Sequence, residues 1–306
     1  MTQDSASASS QAHSSRTAKS GVKRHWLLAV LVLTFLFILM PFLFWQATWF
    51  GKPLTDDQLQ RSLTDSQNPR EVQHALSQIA DRILASDPAM RASAVRFYPD
   101  VVGIAKTGDD DLRLTAAWVM GQDNAVPEFA AELRLLLGDP NPMVRRNAAL
   151  ALIRFGDMSG RDEIRSIFEP YPVTAPQAGN VDERLKPGDA VNPGTLLGRM
   201  KSDGRYIEVR SQVPGTVKRW LVPNGQLVAA QQPVLLVDPS ADEVWEALRG
   251  LYVIGEPRDL PALQRLAGDQ TEPDNLREQA KRTIAAIRQR TPAESSPAPD
   301  KPPAKP

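Results

Sequence analysis

The sequence predicts a multidomain protein: one N-terminal transmembrane helix, then an all-α repeat solenoid interrupted once by a small all-β sandwich. Three observations predict it. Residues 26–50 contain no charged side chain. A helical stripe of apolar residues recurs on both sides of the middle of the chain. Between the recurrences, Val173–Val237 contains one short β-type sequence twice.

Residues 1–25 are rich in Ser, Ala, Thr and Gln without apolar periodicity, which predicts a disordered cytoplasmic tail. Their positive charge gathers near the end, in Arg16, Lys19, Lys23 and Arg24. The uncharged stretch at 26–50 follows. As a helix, Trp26–Gly51 runs about 39 Å, longer than the ~30 Å hydrocarbon core of a bilayer. Trp26 at one end, and Trp45 and Trp49 at the other, match interfacial belts, and Pro41 is placed for a kink. A cleaved signal peptide would carry an apolar core of only about 7–15 residues and a small-x-small site. Here the run is longer and ends in Gln46-Ala-Thr-Trp-Phe50. The basic cluster before the span outweighs Lys52, Arg61 and Arg70 after it. The positive-inside rule then gives a single-pass protein of a bacterial inner membrane, N-terminus cytoplasmic and bulk of the chain periplasmic.

Residues 55–170 read as helical. Val144, Ala148, Leu152 and Phe155 fall on one helix stripe, with Arg145 beside it. The stripe recurs at Val72, Leu76, Ala80 and Ile83, and partly at Leu112, Ala116 and Met120, with Arg113. It returns at Val244, Leu248 and Tyr252, and again at Leu276, Ala280, Ile284 and Ile287, with Arg277. Second helices are expected at Pro127–Leu137, Arg161–Phe168 and Leu260–Ala267. The stripes begin at 72, 112, 144, 244 and 276. One step of the series is long, and a repeat of about 33 residues plus an insert of roughly 67 accounts for it. So residues 55–170 and 240–290 read as one array, and residues 171–239 as a guest within it, tolerated where the guest's own ends lie close together. Residues 291–306 hold six prolines and no apolar face, which predicts an extended disordered tail.

The guest's first copy reads Val173-Thr-Ala-Pro-Gln-Ala-Gly179-Asn-Val181, then Leu185-Lys-Pro-Gly188. The second reads Val209-Arg-Ser-Gln-Val-Pro-Gly215-Thr-Val217, then Leu221-Val-Pro-Asn-Gly225. Apolar and polar residues alternate around each glycine, the pattern of short strands joined by tight turns. This doubled frame resembles the biotinyl/lipoyl-type domain, or barrel-sandwich hybrid, in which two half-repeats interlock into a flattened sandwich. The resemblance implies a carrier lysine seven residues before the Ala/Ser of the second motif. Counting back from Ser211 gives Gly204, and the Met200-Lys201 pair falls three residues early. Asp203-Gly204 is instead a two-residue hairpin signal. The implied module is unmodified and used for docking, with no cofactor.

The helical copies resemble HEAT repeats, in the short form also seen in the phycobilisome-lyase-like family. Gly138–Asp157 carries most of that likeness. It implies that Asp139, Arg145, Arg113 and Arg277 form a structural ladder between repeats.

Chemistry is not indicated. There is no cysteine, which removes thiolate metal sites and a cysteine nucleophile, and the net charge of zero gives no electrostatic case for nucleic acid. The histidines, His13, His25 and His74, are scattered. Phosphate-loop, HExxH and GxSxG patterns are absent. Asp109-Asp110-Asp111 stands at a predicted helix start, where capping explains it. The catalytic, cofactor and metal sites are therefore expected to be none. The expected function is a membrane-anchored periplasmic scaffold, not an enzyme, binding envelope or membrane proteins and no small-molecule substrate. The alternative is a periplasmic adaptor of a transport or secretion system, like membrane fusion proteins. Those carry a long coiled-coil hairpin between the half-motifs, and here only Leu197–Glu208 connects them.

Overall fold

The computed structural model describes residues 26, 28–37, 39–40, 53–65, 67–202 and 204–290. The tails expected at 1–25 and 291–306 lie outside these, apart from the stated boundary. The transmembrane expectation is corrected. Among the described residues no helix is long and apolar enough to cross a membrane. Within 26–50 the described helical residues are 26, 28–37 and 39–40, and residues 41–50 lie outside the description. The inner-membrane location, the cytoplasmic N-terminus and the periplasmic bulk rested on that span and are withdrawn with it.

Residues 56–306 form a compact unit of their own. It begins with helices α1 (Asp56–Thr64), α2 (Pro69–Leu84), α3 (Pro88–Ala94), α4 (Tyr98–Thr107), α5 (Asp110–Met120), α6 (Pro127–Leu136), α7 (Pro142–Arg154) and α8 (Arg161–Ser166). Strands β1 (Tyr171–Thr174) through β8 (Pro233–Pro239) follow. The chain then returns to helices α9 (Ala241–Ile254), α10 (Leu260–Gly268) and α11 (Asp274–Arg290). Helix starts follow local chemistry. Asp109 accepts from the Leu112 N–H at 2.9 Å, and Asn141 from that of Met143 at 2.8 Å. Pro69, Pro127 and Pro142 stand at first helical positions, where their missing N–H costs nothing.

The stripes predicted from periodicity are buried, with two exceptions: Phe155 is only partly buried, and the α9 stripe is shifted by one residue at its end. Val244 and Leu248 are buried, but Tyr252 is 47% exposed and Leu251 takes the inward place.

The helices on either side of the β insert share one core. Ala149, Ile164 and Ile167, before it, pack with Val244, Leu248, Leu251, Leu276 and Ile284, after it. The end of α9 is clamped from both sides of the insert. Arg161 donates to the Ile254 carbonyl at 2.8 and 3.1 Å, and Arg290 donates to the carbonyls of Tyr252 and Gly255. Cations at a helix C-terminus satisfy the unpaired carbonyls and complement the dipole.

The insert consists of two four-stranded antiparallel sheets, ordered β1-β8-β6-β3 and β5-β4-β2-β7. Advancing each strand of the first order by four, cyclically, gives the second. Each sheet therefore takes two strands from each half of the doubled sequence. Backbone bonds repeat the exchange. The Gly188 N–H donates to Val217 O at 2.8 Å, and the Gly225 N–H donates to Val181 O at 2.6 Å. Gly188 and Gly225 have φ of 95° and 82°, a turn conformation that favours glycine. Gly194, at φ 84°, is matched in the second half by Gln231 at φ 63°. Both donate across to the other half, Gly194 to Ser211 O and Gln231 to Ala175 O, each at 2.8 Å. Valines fill the space between the sheets, and Met143 of α7 and Tyr171 of β1 pack against that core from the solenoid side.

Candidate interaction groove

The first helices of successive repeats, α2, α5, α7, α9 and α11, neighbour one another in that order. The last four line an open groove of about 1200 Å3. Its floor is built from small residues. On Gly121 of α5 a Cβ would stand 2.8 Å from the Ala151 Cβ of α7. On Gly250 of α9 one would stand 2.8 Å from the Ile153 Cδ1. Small side chains thus let the helices approach closely and keep the trough clear, with Ala285 and Ala286 continuing it on α11.

Aromatic side chains stand in this trough. Trp118 of α5 is 42% exposed, and Tyr252 with Val253 of α9 is likewise exposed. Trp245 is half-buried in the same wall. If Leu112, Val144, Val244 and Leu276 mark equivalent places, Trp245 occupies the position held by Arg113, Arg145 and Arg277 in the other copies. Trp118 carried no sequence signal for the groove, because an exposed aromatic and a core aromatic look alike in a short helix.

The groove also carries Arg154, Arg249, Arg282 and Glu246. Arg249 pairs with Glu246 one turn away at 2.9 Å. Arg154 donates to the Gln122 Oε1 at 2.8 Å. Among the described residues Arg282 has no hydrogen-bonded or ion-paired side chain. Glu278, one turn before it, bonds Lys281 at 2.7 Å instead. The side-chain amides of Asn147 and Gln279 are likewise unbonded there.

The ladder residues lie elsewhere and do structural work. Arg113 grips Asp139 of the next repeat through Nε at 2.7 Å and Nη2 at 3.0 Å, and Asp139 also accepts the Asn141 N–H at 2.8 Å. Burial pushes the Asp139 carboxyl up, but these bonds and the Arg113 and Arg145 charges together hold it below the usual carboxylate range. Arg145 extends the ladder only to the Asp139 carbonyl at 2.8 Å, and its next partner is Glu163 of α8 at 3.0 Å. Beside it, Arg146 crosses to Glu243 of α9 and lies over the Tyr171 ring, 5.8 Å from its centroid. Arg277 bonds Asp274 and Gln270 within its own repeat.

Gly204 is the last residue of a two-residue turn between the paired Ser202 and Arg205, with φ 76°. Asp203 lies outside the described residues. Lys201 is exposed on β4, opposite Tyr206 and Asn180. Asp109 caps α5, while Asp110 bonds Arg113 and Asn141. Among the described residues no group of three or more His, Asp or Glu side chains is arranged to hold a metal ion.

A family model for HEAT repeats matches residues 99–169. The match ends just before β1. No curated protein matches the chain. Among solved structures, a designed armadillo repeat protein is similar at 11% identity and a TM-score of 0.38, over 75% of this chain and 80% of that one. A single-chain, multi-domain long-chain acyl-CoA carboxylase is similar at 19% identity and a TM-score of 0.23, over 45% of this chain and 16% of that one. The helical part of the chain is a repeat solenoid, a class whose stacked helices offer long surfaces to protein partners.

Proposed function

We propose that this chain is a protein-binding scaffold whose principal contact is the groove across α5, α7, α9 and α11. The observation that carries the reading is the exposed aromatic wall, Trp118 and Tyr252, above a floor of glycine and alanine. Large aromatics in a trough, framed by charged side chains, are the composition of interface anchors. The β insert is a second docking surface, an unmodified module of the biotinyl/lipoyl type. Its support is the interlocking of two sequence-related halves and the glycine at the hairpin tip. The repeats are of the short form seen in the phycobilisome-lyase-like family. The partners' envelope identity rested on the anchor and is dropped.

The test is crosslinking in the native cell followed by affinity purification of the full chain and of a Trp118→Ala/Tyr252→Ala variant. Both side chains are substantially exposed, so thermal unfolding should match wild type. Specific partners of the wild type should be lost from the variant. An identical partner set in the two would reject the groove as the contact surface.

A further inference from the structure

We infer that the groove receives an extended, acidic segment of a partner protein, its carboxylates held by Arg154 and Arg282 and its apolar side chains laid on Trp118, Trp245 and Tyr252. This rests on the scaffold reading and adds the chemistry of the occupant.

The charge argument comes first. Three guanidinium groups and one carboxylate border the trough. Arg282 makes no hydrogen bond or ion pair among the described residues, its neighbour Glu278 being bonded to Lys281, and Arg154 meets only a neutral amide. Glu246 offsets one of the three, through Arg249. Incoming carboxylates complete the remaining two, and guanidinium–carboxylate contacts are the stronger, charge-assisted kind. Basic or neutral segments leave both cations as they are.

The main chain is the second argument. A helical partner has already paired its backbone internally, whereas an extended one arrives with free N–H and C=O groups. Asn147 on α7 and Gln279 on α11 each present an unbonded amide, donor and acceptor together. Neighbouring helices pack about 10 Å apart, so an extended chain advances roughly three residues per repeat crossed. Every second residue of such a chain faces the wall, which suits alternating apolar and acidic side chains.

Nucleic acid is the competing polyanion. A duplex or single strand brings a dense phosphate row that a groove with three cations and a carboxylate neutralises poorly, and the chain's net charge is zero.

Fluorescence anisotropy on the full chain tests the inference. The probes are a short labelled peptide of alternating glutamate and leucine, its lysine-and-leucine counterpart, and a labelled single-stranded oligonucleotide. The glutamate peptide should bind at least about tenfold more tightly than the other two, and added salt should weaken it. An Arg154→Ala/Arg282→Ala variant should lose about tenfold for that peptide while unfolding at the wild-type temperature, since both side chains are exposed. Equal or tighter binding of the lysine peptide or the oligonucleotide overturns the inference, as does wild-type affinity in the arginine variant. If the aromatic variant loses its cellular partners while the arginine variant keeps them, the acidic occupant is wrong and the scaffold stands. If the aromatic variant keeps them, the scaffold reading itself has failed.

Discussion

Replacing Asp139 by asparagine should loosen the solenoid between its α5 and α7 repeats. The carboxylate is almost fully buried and receives three bonds: two from the Arg113 guanidinium and one from the Asn141 N–H. Arg113 is itself largely buried and also donates to Gly108 O at 2.9 Å. Asparagine keeps one acceptor oxygen but turns an NH2 toward a guanidinium that has nowhere to go. Removing one partner of a fully buried pair costs about 3–5 kcal/mol. The retained acceptor, and the Asp110 carboxylate 2.8 Å from Arg113, reduce that to about 2 kcal/mol. For a unit of this size such a loss lowers Tm by about 4–8 °C. Scanning calorimetry on the full chain at neutral pH measures it.

The pH dependence gives a second arm to the same test. The folded Asp139 carboxyl sits below its ordinary value of 3.8. Its contribution is therefore complete above the unfolded pKa and is lost as pH falls through the folded one. The deficit of Asp139→Asn relative to wild type should shrink as pH is taken below about 4. A variant within about 0.5 kcal/mol of wild type at neutral pH, or a deficit that grows on acidification, would show that the ladder contact is not what joins these repeats.

Among the described residues Gln231 is the non-glycine residue with positive φ, and its counterpart in the other half is Gly194. Gln231→Gly should stabilise the β insert by about 0.5–1 kcal/mol, the relief of a left-handed side-chain clash less the added freedom of the unfolded chain. Urea denaturation reads it as a higher midpoint, and a lower one would refute it. Glu243 runs opposite to Asp139: burial pushes its carboxyl above the ordinary value despite Arg146. Stability from this group is full below about pH 4.5 and falls as pH rises through the folded pKa. Glu243→Gln should remove that decline from the stability–pH curve measured by urea denaturation, and an unchanged slope would contradict the assignment.

Much of the helical frame was legible in the residues. Val144, Ala148 and Leu152 define a buried face by spacing alone, because burial of one helix side forces a 3.6-residue period. The doubled Gly179 and Gly215 frames announced two like halves, because turns with unusual φ and close backbone approach admit few residues. The exchange of strands between those halves was implied by the resemblance and not by the residue pattern itself. The groove was not legible: Trp118, Arg154, Trp245, Tyr252 and Arg282 come from four helices, and no local pattern requires them to meet. The apolar run at 26–50 speaks to solvent preference alone; among the described residues no helix is long and apolar enough to cross a membrane.

The chain by itself determined where helices start, which faces they bury, and that a β segment repeats its own plan. Those follow from short-range forces, backbone sterics, capping and the period of burial. Only the folded molecule decided which side chains of α7, α8, α9 and α11 share a core across the insert, and that four helix faces make a single trough. Contacts between residues a hundred positions apart are chosen by the packing of whole surfaces, and no window of sequence contains both sides of that choice.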